Sequence, residues 1–189
     1  MIRKDKLPLV REKSLLYLLD IIKTKQPTNI LEIGTCIGFS GICILKECNG
    51  YLTTIEIDIE RAKQAKQNFK DEKLDNRVDL IIGDATEILQ RNKLTRKFDF
   101  IFLDGPKAQY VKQLPYLINL LNIGGVLVAD NVLFRGFVEN PEIAPKRFKT
   151  IVKRLNEFIN VAKNDTRIDV RVEHIDDGLL IATKIKEDI

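Results

Sequence analysis

The chain has 189 residues, 44% hydrophobic and 31% charged, with a formal net charge of +4. That is room for one domain with a full core, and it excludes fibrous, disordered and membrane-embedded classes. The small positive excess permits an acidic partner such as RNA without demanding one.

The start, Met1-Ile-Arg-Lys-Asp-Lys, is charged and leads into no long apolar run, so neither a signal peptide nor a membrane span is expected. Cys36, Cys43 and Cys48 have no zinc spacing and cannot all pair, which predicts reduced thiols in a cytoplasmic protein.

Pro8 precedes an amphipathic segment, Arg11 to Lys25, with Leu15, Leu18, Leu19 and Ile22 at helical spacing. Pro27 stops it before an apolar strand, Ile30 to Ile33. A loop containing Gly34 and Gly38 follows, and a helix begins near Ser40. Glycine at both places allows close approach of a ligand, as where α/β proteins hold a nucleotide-like cofactor at the carboxyl end of the first strand. The spacing is not the dinucleotide Gly-x-Gly-x-x-Gly, because three residues separate these two glycines.

A second apolar run, Leu52 to Ile57, leads to Asp58, placed to cap a helix from Glu60 to Phe69. Val78–Ile82 is a third strand, closing on Gly83-Asp84 before a short helix, Ala85–Arg91. Phe98–Leu103 is the fourth, ending at Asp104. A helix over Gln109–Leu121, a Gly124-Gly125 turn and a fifth strand, Val126–Ala129, end at Asp130-Asn131. Near-continuous apolar strands alternating with helices predict a parallel sheet buried on both faces.

After the fifth strand a loop, Val132–Pro145, leads to a helix from Lys146 to Val161. Strands over Arg167–His174 and Leu179–Lys184 are joined by the hairpin signature Asp176-Asp177-Gly178. The expected fold is α/β: a seven-stranded, mostly parallel sheet with a C-terminal antiparallel hairpin and helices on both faces. One domain over residues 1–189 comprises a helical segment (1–28), cofactor-binding units (29–131) and an acceptor-side loop, helix and hairpin (132–189).

Acidic residues collect at the strand ends, where such sheets bind ligands: Glu32, Glu56, Asp84, Asp104 and Asp130. Any one could be a cap or a solvated turn; five on one rim are harder to dismiss. Glu56 lies about twenty residues past the first glycine, where a carboxylate meets ribose hydroxyls. Asp84 is placed to reach an adenine. Asp104, Asp130 and Asn131 offer three side-chain oxygens with no histidine or cysteine nearby, which suits a hard cation such as Mg²⁺; the plain alternative is a loop start. Lys107, just past Asp104, is either a surface lysine or a group facing whatever the metal binds. Beside a cation its pKa should fall.

The combination Leu-Glu-Ile-Gly-Thr-Cys-Ile-Gly-Phe-Ser (31–40), Thr-Ile-Glu-Ile-Asp (54–58), Gly-Asp-Ala (83–85), Leu-Asp-Gly-Pro-Lys (103–107) and Asp-Asn-Val-Leu-Phe-Arg-Gly (130–136) resembles the class I S-adenosylmethionine-dependent, cation-dependent O-methyltransferases, which have a Rossmann-like fold. These include catechol and caffeoyl-CoA O-methyltransferases. The resemblance implies that Glu32, Gly34, Thr35, Gly38 and Ser40 line the methionine end of S-adenosylmethionine. It implies that Glu56 and Ile57 hold the ribose, and Asp84 and Ala85 the adenine edge. Asp104 would border the cofactor and bind Mg²⁺ with Asp130 and Asn131, and Lys107 would be general base or hydroxyl-orienting residue.

Asp104–Tyr110, Asp130–Val138 and Pro145–Phe148 further resemble the bacterial tRNA 5-hydroxyuridine methyltransferases. That implies an acceptor in the tRNA anticodon. Arg135 in the loop and Lys146 and Arg147 at the start of the next helix could contact RNA phosphates; a solvated helix face is the plain alternative. No aromatic interleaving marks a stacking platform. A small catechol-like acceptor and a non-catalytic RNA partner are the alternatives. Relatives carry a further amino-terminal helix that covers the site and often joins a homodimer, so site closure and subunit number stay open.

Overall fold

The computed structural model describes residues 10–187. The charged start and Pro8 lie outside the described residues. Six helices and seven strands follow in order: α1 (Glu12–Lys25), β1 (Asn29–Ile33), α2 (Phe39–Glu47), β2 (Tyr51–Glu56), α3 (Ile59–Asp71), β3 (Val78–Ile82), α4 (Ala85–Gln90), β4 (Phe98–Leu103), α5 (Tyr110–Leu120), β5 (Leu121–Asp130), α6 (Lys149–Asn164), β6 (Ile168–Glu173) and β7 (Leu179–Lys184). The strands form one sheet in the order β3-β2-β1-β4-β5-β7-β6. Only β7 runs against its neighbours, β5 and β6. The order reverses between β1 and β4, which opens a crevice at their carboxyl ends.

Alternation along each strand splits the core in two. Leu31, Ile101, Leu103, Leu127, Ala129 and Leu180 pack under α4, α5 and α6, on Leu89, Leu117 and Phe158. Ile30, Phe100, Phe102, Val126, Val128 and Ile181 pack the other way, on Leu18 and Ile22 of α1 and Phe69 of α3. Because both sets are apolar, the strands read as continuous hydrophobic runs. The edge strand β3 departs from that pattern: none of its residues is fully buried, and Ile82 is 51% exposed.

Two boundaries differ from the sequence expectation. The Gly124-Gly125 turn lies within β5: Phe98 pairs with Leu121 and Phe100 with Val126, so residues 122–125 bulge out, with Gly124 at φ 79°. The predicted helix start at Lys146 is a 3₁₀ turn, Lys146–Phe148, entered from Pro145, and the α-helix begins at Lys149. At the end of the sheet remote from the crevice, Asp99 accepts from Thr28 N, Thr28 Oγ1, Asn29 N and Asn122 Nδ2, tying β1 to the bulge. No described helix is long and apolar enough to cross a membrane.

Candidate active site

A cavity of about 390 Å³ opens over the carboxyl ends of β1, β2 and β4. Of the residues predicted for a site, Gly34, Glu56, Ile57, Asp84, Ala85, Asp104, Lys107 and Asn131 line it. Glu32, Thr35, Gly38, Ser40 and Asp130 are not in its wall.

The glycine loop explains that split. Gly34 has φ 101°, and a Cβ there would sit 2.4 Å from the Asp104 carbonyl oxygen. Gly38 has φ 82° and begins α2, and its Cβ would press on the Phe69 ring at 3.0 Å. Backbone and a core ring, not only a ligand, require these glycines. Beneath the loop Glu32 is fully buried and accepts from Ser40 Oγ and from Thr54 Oγ1 (2.6 Å), and Thr54 in turn pairs with Thr35 Oγ1 at 2.6 Å. Burial pushes the Glu32 carboxyl up to about 7 despite those hydroxyls.

Glu56, at the end of β2, takes the Cys36 backbone N–H on one oxygen (2.7 Å) and that of Asp58 on the other (2.9 Å). It therefore fixes the glycine loop while retaining lone pairs for further donors. Cys36 is held at φ 50°, and burial raises its thiol pKa, so it is a packing group and not a nucleophile. Asp84 caps α4, its Oδ1 accepting from Thr86 N (2.7 Å) and Glu87 N (3.1 Å).

The other end is built differently. Leu103 and Ala129 are paired in register, so Asp104 and Asp130 leave adjacent strands side by side. Lys107 Nζ donates to Asp104 Oδ1 at 2.8 Å, and both side chains are largely buried. Asp130 is 1% exposed; its Oδ1 accepts from Asn131 N (2.7 Å), and its Oδ2 is buried without a partner. Burial, then the charge of Asp104, push the Asp130 carboxyl up to about 7. Asp104 is also raised by burial, with Lys107 opposing.

The fall expected for the Lys107 pKa is conditional on a bound cation, and without one its protein neighbours act the other way. Burial alone would lower its pKa, but Tyr110 and Asp104 outweigh it and the net direction is up. The predicted fall assumed a neighbouring cation; what stands beside the ammonium here is a carboxylate.

Asp104, Asp130 and Asn131 form an all-oxygen donor set, and the unpartnered Asp130 Oδ2 is the kind of atom that a hard cation would satisfy. Among the described residues no group of three or more His, Cys, Asp or Glu is arranged to hold a metal, so a site here rests on two aspartates and an asparagine.

Sequence reasoning missed several residues. Tyr110 is fully buried beneath Lys107, its hydroxyl within 3.0 Å of the Leu103 carbonyl and 3.2 Å of the Asp130 carbonyl. Gln113 and Thr86 also line the cavity. So do Arg11 and Asp177, an ion pair at 2.8 Å that joins the start of α1 to the β6–β7 turn. That turn also holds the loop after β5, with Leu133 N on the Asp177 carbonyl and Val132 N on that of Gly178. No short-range pattern in the sequence reports such contacts.

A partly buried aromatic cluster forms in the segment after β5. Phe134 and Phe137 pack on Phe148, with ring centroids 5.3 and 6.1 Å away. The guanidinium carbons of Arg147 and Arg135 lie 4.6 and 5.6 Å from the Phe148 centroid. The three rings are separated in sequence by a loop that folds back on itself, which hid the cluster. Lys146 is exposed beside it.

The sequence profile of the O-methyltransferase family matches residues 7–185. A caffeoyl-CoA O-methyltransferase of Medicago sativa is 30% identical over 181 residues, 90% of this chain and 72% of that protein. The Bacillus cereus O-methyltransferase solved in complex with SAH superposes with a TM-score of 0.82 at 26% identity, over 93% of this chain and 82% of that one. Streptomyces achromogenes TomG, an O-methyltransferase solved with SAM, gives 0.83 at 25% identity, over 95% and 84%. The chain belongs to the O-methyltransferase family.

Proposed function

We propose that this enzyme uses S-adenosylmethionine and a divalent cation, Mg²⁺ in the first instance, to methylate a hydroxyl that has a second oxygen beside it, with 5-hydroxyuridine of tRNA as the acceptor. The observation that carries the reading is the continuity of the cavity. Hydrogen-bonding carboxylates, Glu56 and Asp84, stand at one end; Asp104, Asn131 and Lys107 stand at the other, with the unpartnered Asp130 Oδ2 buried behind the wall.

When bound, the cofactor supplies a methyl group on a positively charged sulfur, and the cation supplies charge that favours an anionic acceptor oxygen. Glu56 would take the ribose hydroxyls, and Asp84 with Ala85 would border the base. Gly34 keeps the wall free of a side chain. Asp104, Asp130 and Asn131 would hold the cation. Lys107 Nζ, beside Asp104, would orient the acceptor oxygen, whose proton passes to solvent once the hydroxyl is acidified, or would itself take that proton. Burial around the cluster keeps water from competing with the acceptor.

The tRNA acceptor is supported by Arg135 and Arg147, held over Phe148 in the segment after Asn131, which offer charge to phosphates. A small catechol-like acceptor is the second reading, favoured by the relative's activity on caffeoyl-CoA and by the modest cavity. Incubation with methyl-labelled cofactor, Mg²⁺, hydroxylated tRNA and a catechol panel decides between them. Label in 5-methoxyuridine is expected. Label confined to phenols would transfer the enzyme to the second reading, and none in either would remove both.

A further inference from the structure

Gln113 is out of character for its place. It lies on the buried face of α5 with Tyr110, Leu114, Leu117 and Ile118, is 1% exposed, and yet carries an amide. Its Nε2 donates to Thr86 Oγ1 at 3.0 Å, while its Oε1 is buried without a partner. Bracing α4 against α5 uses only the nitrogen; the oxygen has no structural task. A buried acceptor left unpaired is destabilising, and in a native core it calls for a reason. The reason is its position: Gln113 and Thr86 both line the cavity, beside Asp84 and Ala85.

We infer that Gln113 is a specificity residue for the nucleoside, its Oε1 accepting from an exocyclic amine at position 6 of the purine. This rests on the reading that an adenosine-bearing cofactor binds with its base at the Asp84 end. In the structure the Thr86 hydroxyl takes the amide nitrogen, which leaves the oxygen as the end without a partner. A 6-amino purine satisfies that oxygen; a 6-oxo purine sets oxygen against oxygen. A site built around one hydrogen bond discriminates more sharply against an analogue that cannot make it than a merely apolar slot does.

The test uses calorimetric titration of the full chain with S-adenosylhomocysteine, its 6-H purine analogue and its 6-oxo (inosine) analogue. The wild type should prefer the 6-amino ligand to the 6-oxo one by about 10-fold or more, with the 6-H compound between them. In Gln113→Met, of similar length and without the acceptor, the three affinities should converge to within about 3-fold. Should that variant fail to fold, Gln113→Asn keeps the amide but withdraws it by one methylene, and should also compress the ranking. Equal affinities in the wild type, a preference for the 6-oxo ligand, or an unchanged ranking in a folded variant would each overturn the assignment. If the wild type bound none of the three, the cofactor reading itself would fall.

Discussion

The two ends of the cavity handle their carboxylates in opposite ways. At the cofactor end, Glu56 and Asp84 in the wall and Glu32 beneath the glycine loop each accept two hydrogen bonds from protein groups, so each also fixes a loop or a helix start. At the acceptor end, Asp104 has a single lysine and Asp130 keeps a buried oxygen with no partner. The first end is a scaffold that also binds. The second is a cluster of buried charge that protein groups alone leave incomplete, the arrangement expected where binding free energy is to come from ligands. Backbone strain is present at both ends: Cys36 in the glycine loop and Asn131, Phe134 and Arg135 after β5 have positive φ.

Substitutions at the acceptor end should therefore remove activity and spare the fold. The largest effect is expected for Lys107→Met, with turnover falling about 100- to 1,000-fold while affinity for S-adenosylhomocysteine stays within about 3-fold. As an orienting ammonium, Lys107 should leave a residual rate that raising the pH does not restore. A rate that recovered at high pH would make it the base instead. Next comes Asp130→Asn, with turnover down about 100-fold. Thermal melting of the parent should rise with Mg²⁺ and that of the variant should not, since only a site that binds the ion in the folded state gains stability from it. Without metal the variant should melt no lower than the parent, because it loses a charge that was buried without a full set of partners.

How far the sequence reached follows the same line. Local chemistry was readable: Asp58 as a cap, Asp176-Asp177-Gly178 as the hairpin turn, and the apolar runs of β1, β4 and β5. Strand ends were readable because the rule placing ligands at carboxyl ends needs only strand order along the chain. Three kinds of fact were not readable. The sign of the Lys107 shift depends on which group stands nearest to it. The aromatic stack joins Phe134 and Phe137 to Phe148 across a folded loop. Gln113 looks like any helical polar residue until α4 is packed against it.

The cofactor end should respond through stability. Glu32 gives the pH dependence. In the unfolded chain its carboxyl loses its proton near 4.5, whereas in the folded protein burial keeps it to about 7. The folded state thus binds more protons inside that window, and raising the pH through it removes stability, with the loss complete above about 7. The contribution is about 3 kcal/mol at most. Urea unfolding should show the parent falling in stability from pH 5 to 7, with Asp130 acting in the same direction, and Glu32→Gln should remove part of that slope. An unchanged slope would place the titration elsewhere.

The smallest effect tests the comparison most directly, because it asks one residue to report on both roles. Glu56→Gln keeps one acceptor oxygen but sets an amide NH₂ against either the Cys36 or the Asp58 backbone N–H, both of which now donate to the carboxylate. One bond is lost and one N–H is left unpaired, at about 1–2 kcal/mol of folding stability. The glycine loop loosens with it, so affinity for S-adenosylhomocysteine should drop by about 10-fold in the same variant. Lys107→Met and Asp130→Asn should show no such pairing of losses. If Glu56→Gln weakened binding at unchanged stability, the carboxylate would serve the ligand alone, and the contrast between the two ends would reduce to one of charge.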